Sequence, residues 1–114
     1  MEDCIFCMII AGEIPSDIVY QGEEIIAFRD INPLAPVHIQ IIPRKHIVSV
    51  AELTDDEYHL VAEMVKVANH LAKKEGIAES GYRLAMNCGK QGGQLVPHLH
   101  LHLLGGRQMS NGLG

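Results

Sequence analysis

Tryptophan is absent from this chain, and only two Phe and three Tyr stand among its 114 residues. Its core must therefore be aliphatic, drawn from the 47% apolar content that is ordinary for a globular protein. Positive charge is scarce: nine Lys and Arg against fourteen Asp and Glu leave a net charge of −5 with His neutral. That argues against a general nucleic-acid binder, which needs a basic surface. A small nucleotide held by backbone amides and imidazoles stays within reach. No uninterrupted apolar run approaches membrane-spanning length, and no signal-peptide pattern opens the chain. Three cysteines are an odd number, against a full disulfide framework and for a reducing, cytoplasmic compartment. No linker, repeat or low-complexity segment appears, so residues 1–114 are expected to form one domain.

What the chain does have is histidine, seven in all, three of them alternating with leucine in the run HLHLHLL at 98–104. Side chains alternate faces along a strand, so His98, His100 and His102 should line one face and Leu99, Leu101 and Leu103 the other. A helix would scatter the rings. The remaining pattern places elements around this strand, predicted over 96–104. A short helix follows Cys4, with Ile5, Ile9 and Ile10 at helical spacing and Gly12 as its stop. Residues 18–20 and 25–30 read as a hairpin, and 38–43 as a third strand after a loop with two prolines. Thr54 and Glu57 form a capping box, opening a helix that Gly76 ends. Its stripe of Val61, Met64, Val65, Ala68 and Leu71, widened by Leu60 and Val67, suits core packing, with part of the face available to a second subunit. Residues 82–87 read as a fourth strand. The pattern predicts an α+β fold, a five-stranded, mainly antiparallel meander with one long and one short helix.

An exposed polar face would mix Thr, Lys and Glu; three histidines in register point instead to a metal site or to nucleophilic catalysis. Just before them, Gly89, Gly92 and Gly93 let backbone N–H groups approach an anion, as in a phosphate cradle. Asn87 and Gln94 flank this loop and serve either a ligand or the loop backbone. Cys4 and Cys7 have metal-ligand spacing but no second pair, so histidines would complete the set; two buried thiols are the alternative. Cys88 reads as a small apolar filler. Asp30 closes a strand as a turn former, or accepts ribose hydroxyls. His38, His59 and His70 carry no expected role.

Taken together these residues resemble the histidine triad (HIT) superfamily, and within it the Hint branch of nucleotide-binding proteins. The matching runs are HLHLHLL at 98–104, CIFCMII at 4–10, GEIP at 12–15, AFRDINP at 27–33, APVH at 35–38, IPRKH at 42–46, GYR at 81–83, GGQ at 92–94 and LLGGR at 103–107. The resemblance implies a homodimer whose sheets join across the two-fold axis. It implies hydrolysis of purine nucleoside phosphoramidates, and of acyl-adenylates, through a nucleotidyl-histidine on His100. His102 and Asn87 would contact the phosphoryl group, with amides around Gly93 and Gln94. Asp30 would hold the ribose, and Ile5, Phe6, Ile9, Phe28 and Ile31 would form the base slot. Some members with the cysteine pair bind zinc through positions matching Cys4, Cys7, His46 and His98, which implies a structural zinc here; catalysis would require no cofactor.

Two departures stand out. Leu95 occupies a position where many members carry Ser or Thr for the leaving group, and the tail from Gln108 lacks an aromatic. A dinucleoside polyphosphate hydrolase and a nucleotide-binding interaction protein with weak catalysis are the competing readings. None involves a nucleic-acid duplex or a membrane.

Overall fold

The computed structural model describes residues 3–113. Helix α1 (Ile5–Ile10) leads into strands β1 (Ile18–Gln21), β2 (Ile25–Arg29) and β3 (Val37–Pro43). Two 3-10 turns precede helix α2 (Tyr58–Lys74), and strands β4 (Tyr82–Ala85) and β5 (Leu101–Gly105) follow. All pairings are antiparallel, in the order β1-β2-β3-β5-β4. The α+β class and the strand count agree with expectation; the meander does not. β5 inserts between β3 and β4, which places the histidine strand against the most buried strand of the sheet.

Burial explains why β3 is central. All seven of its residues are buried, because α2 covers one face of the sheet and α1 the other. Val37, Ile39 and Ile41 join Leu101 and Leu103 beneath Leu60, Met64, Val67, Ala68 and Leu71 of α2. On the opposite face, Ile42 joins Ile26 and Phe28 under Phe6 and Ile9 of α1. The α2 stripe is narrower than expected: Val61 is only partly buried and Val65 is exposed, while Ala72 is buried.

At the start of α2 the Glu57 carboxylate accepts the Thr54 N–H at 2.9 Å, one half of the expected capping box. The same carboxylate pairs with Lys45, and that bond holds Glu57 down at about 2. At the other end, Arg29 forks onto Glu75 with bonds of 2.8 and 2.9 Å. This fixes the last residue of β2, immediately before Asp30, to the helix C-terminus.

The fifth strand is shorter than the predicted span of 96–104. β3 pairs with it only as far as Ile41 against Leu101. Pro97 has no N–H to offer a ladder, and the Leu99 N–H donates to the Ile47 carbonyl instead, at 2.7 Å. His98 and His100 therefore precede the strand. The leucine alternation survives all the same, with Leu99, Leu101 and Leu103 all in the core.

No helix among the described residues is long and apolar enough to cross a membrane. Met64, fully enclosed between α2 and the sheet, should be the test of this packing. Met64→Ala is expected to cost about 2–5 kcal/mol, read as a lower urea midpoint.

Candidate active site

The three histidines of the triad sit in three different environments. His98 is fully buried. Its Nε2 donates to the Pro43 carbonyl at 2.9 Å, so its Nδ1 carries the lone pair. That lone pair faces Cys4 Sγ at 3.4 Å and Cys7 Sγ at 3.6 Å. His46 Nδ1 lies 3.3 Å from Cys7 Sγ. The four side chains present one ligand atom each, all within 4.8 Å of one another.

A tetrahedral zinc with ordinary Zn–S and Zn–N bonds needs S···N edges of about 3.6 Å, close to those observed. The bond from His98 to Pro43 is the outer contact that orients a metal-bound imidazole. The cluster could therefore hold a metal ion. Without one, burial and the neighbouring Cys4 push the Cys7 thiol up to about 11, so a metal would have to displace its proton.

His100 is buried too, and its Nδ1 donates to the His98 carbonyl at 2.7 Å. The carbonyl can only accept, so Nδ1 carries the hydrogen and neutral His100 has its lone pair on Nε2. Phe6 packs edge-on against the His98 and His100 rings, with centroids 5.8 and 5.3 Å away.

His102 is half-buried and faces a partner that the sequence did not suggest. His38 Nδ1 accepts the Leu34 N–H at 3.1 Å, so the His38 hydrogen is on Nε2. It points at His102 Nδ1, 3.0 Å away. His102 must accept there, and its own hydrogen is on Nε2. Burial, followed by the nearby His100 and His38 rings, pushes His102 down to about 4. Burial also lowers His38, against the pull of Asp30. His38, for which no role was expected, thus has His102 as a direct partner. Its role depends on β5 lying beside β3, which a meander would not give. His59 is exposed and pairs with Glu24, and His70 is exposed, as expected.

Asp30 Oδ1 accepts the Asn32 N–H at 2.8 Å, the local turn contact of an aspartate. Its Oδ2 accepts from Gln40 Nε2 at 2.7 Å. Gln40 is a second residue that sequence reasoning missed; its only signal is a polar residue alternating with His38 on an otherwise aliphatic strand.

Of the expected base slot, Phe6, Ile9 and Phe28 meet in one buried cluster, with Phe6 and Phe28 edge to face at 5.2 Å. Ile5 and Ile31 are exposed and stand outside it.

The glycine loop is turned partly on itself. The N–H groups of Gly93 and Gln94 donate to the carbonyls of Lys90 and Gly89 at 3.1 and 3.0 Å. The tight turn uses both N–H groups. Gly92 is required, because a Cβ there would meet the Cys88 carbonyl oxygen at 2.2 Å. Asn87 Nδ2 donates to the Gly92 carbonyl, leaving one amide hydrogen over. Gln94 ties the loop to the Val48 and Val96 carbonyls. Cys88 is exposed and is no core filler. Leu95 is 92% exposed and borders an open groove of about 430 Å³ with Val48, Lys90 and Pro97.

One face of the sheet thus presents an imidazole with its lone pair on Nε2 beside the hydrogen-bonded His38–His102 pair. The HIT domain family matches residues 11–109. A purine nucleoside phosphoramidase of Escherichia coli K12 is 52% identical over 108 residues, covering 95% of this chain and 91% of that protein. A HIT family hydrolase from Legionella pneumophila superposes with a TM-score of 0.95 at 50% identity, covering 98% of this chain and 100% of the other. One from Clostridium thermocellum gives 0.96 at 50% identity, covering 99% and 98%. The chain belongs to the HIT domain family.

The lowered imidazoles set a direction for stability. A ring at about 4 when folded takes up its proton near 6.5 when unfolded. Between those values the unfolded state binds more protons, so His102 stabilises the fold fully above 6.5. That contribution, on the order of 3 kcal/mol, is lost as pH falls toward 4, and His38 acts in the same direction. Urea midpoints should drop through this window; a flat profile would contradict neutral buried rings.

Proposed function

We propose that the protein is a purine nucleoside phosphoramidase, cleaving the P–N bond of purine nucleoside phosphoramidates, and P–O bonds of acyl-adenylates, to nucleoside monophosphates. The observation that carries this reading is the 2.7 Å bond from His100 Nδ1 to the His98 carbonyl. It leaves Nε2 as a free lone pair on a ring held in one orientation.

In this reading Nε2 attacks the α-phosphorus, a P–N bond to His100 forms and the bond to the leaving amine breaks. Water then attacks the same phosphorus, releases the monophosphate and regenerates His100. His102 points its Nε2 hydrogen at the phosphoryl oxygen or the leaving nitrogen, and Asn87 adds its spare amide hydrogen. Gly93 and Gln94 shape the loop behind them. Asp30 holds ribose hydroxyls on the lone pairs that Asn32 and Gln40 leave open. Phe6, Ile9 and Phe28 floor the base slot, with Ile5 and Ile31 at its rim. Leu95 supplies no hydroxyl, which favours a leaving group that brings its own proton or takes one from His102.

Cys4, Cys7, His46 and His98 would hold a closed, structural zinc that ties the N-terminal segment to the sheet. The family resemblance supports a homodimer formed through α2 and a central strand, with the sheets joined across the two-fold axis, and one HIT domain over residues 1–114. Cysteines that are all free are consistent with the cytoplasm. The −5 charge gives no basic surface for a duplex, and no membrane role is proposed.

Two experiments test this. An adenosine phosphoramidate should be turned over in preference to a diadenosine polyphosphate, and His100→Ala should lose roughly a thousandfold or more in kcat while still binding AMP. Preference for the polyphosphate would move the assignment to the hydrolase of the related branch. No turnover of either substrate by wild type would favour the nucleotide-binding alternative that Leu95 suggests. Elemental analysis of protein purified without chelator should find about one zinc per chain, lost in Cys4→Ser; none in wild type would remove the metal.

A further inference from the structure

Among the described residues, Gln40 Oε1 is the one buried side-chain oxygen or nitrogen with no hydrogen-bond partner. The residue is 6% exposed and sits in register between Phe28 of β2 and His102 of β5. Its neighbours Ile39, Ile41 and Ile42 are fully enclosed, so an aliphatic side chain at 40 would pack without an orphaned acceptor. Burying an unpaired carbonyl is unfavourable. The amide must therefore contribute through its donor side, where Nε2 meets Asp30 Oδ2 at 2.7 Å.

That oxygen has a second suitor. His38 Nε2 lies 3.5 Å from Asp30 Oδ2 and 3.0 Å from His102 Nδ1. It has a single hydrogen to give, because the Leu34 N–H already occupies Nδ1. The carboxylate, as a charged acceptor, would outbid a neutral imidazole for that hydrogen if nothing else served it. Gln40 serves it. The other groups around the pair do not compete: His100 stacks edge-on against His102, and the Arg107 guanidinium is spent on the carbonyls of Leu34 and Gln108.

We propose that Gln40 is a positioning residue: by donating to Asp30 Oδ2 at the shorter distance it weakens that oxygen's pull on the lone His38 hydrogen, leaves the hydrogen on His102 Nδ1, and so holds the His102 Nε2 hydrogen ready for the phosphoryl group. The inference rests on the roles given above to His102 and Asp30. It makes the ribose acid and the phosphate-contacting imidazole parts of one hydrogen-bond network, joined through the floor of the site.

The test is Gln40→Met, which keeps length and apolar bulk and removes the donor. In the free wild-type protein, imidazole nitrogen spectra should show His102 protonated on Nε2, with a coupling across the bond from His38 Nε2–H to His102 Nδ1. In Gln40→Met that coupling should vanish, the His102 Nδ1 signal should move toward an unbonded nitrogen, and kcat should fall on the order of tenfold. Adding Asp30→Ala to Gln40→Met removes the competing carboxylate and should restore the coupling, an outcome that a mere packing defect would not produce. Unchanged His102 signals in Gln40→Met, or no restoration in the double variant, would overturn the proposal. Absence of the coupling in wild type would do so even if the variant failed to fold. Because these signals are read without substrate, a protein that hydrolyses no phosphoramidate would refute the proposed activity and leave this question separately decided.

Discussion

The hydrogen bond from His100 Nδ1 to the carbonyl of His98 is the constraint on which the rest depends. At 2.7 Å it fixes a tautomer, and a tautomer decides which nitrogen can attack. The bond is only as good as the position of the His98 backbone. That position is set from three sides: Pro43 accepts from the His98 ring, the cysteine cluster faces its other nitrogen, and Phe6 packs on its edge. His98 thus orients the His100 ring through its backbone carbonyl. Any ion held by Cys4, Cys7, His46 and His98 would act through the same backbone.

The sheet makes this possible because both of its faces are covered. α2 covers one face with aliphatic side chains, and the short α1 covers part of the other with Phe6 and Ile9. The site lies on the α1 face. There His38, Gln40 and Ile42 alternate with the core residues of β3, and His102 does the same on β5. The period of two separates packing from chemistry on each strand. Leucine and isoleucine on one side make the strand stable enough to hold imidazoles out of water on the other. Burial keeps those imidazoles neutral, which a nucleophile's neighbours need if they are to act as hydrogen-bond donors of defined direction.

Much of this was legible in the sequence, and the parts that were not share one cause. Alternation of His and Leu gave the two faces of β5, because local period carries that information; CxxC spacing marked Cys4 and Cys7 as a ligand pair, while His46 and His98 followed only from family resemblance. The apolar trio Phe6, Ile9 and Phe28 followed from family resemblance. Strand order did not follow from either. A meander puts β4 beside β3; the observed insertion of β5 there brings His38 and Gln40 to His102, and their only local signal was polarity on an otherwise aliphatic strand. The partners of the Gly93 and Gln94 amides were hidden for a related reason. Glycine content shows that a turn can be tight, but not which carbonyls will take its N–H groups.

Where local rules are broken, the site is found. An aliphatic strand with a glutamine at its centre, an orphaned carbonyl beneath a carboxylate, and imidazoles lowered by burial are each unfavourable alone. They occur together within one hydrogen-bond network, from Leu34 through His38 to His102 and across Gln40 to Asp30. A fold selected for stability alone would fill this face with leucine, as it fills the other. Polar groups retained at the centre of the sheet, each with its direction fixed by the next, are what a phosphoryl-transfer site requires: donors aimed before the substrate arrives, so that little reorganisation remains when charge develops.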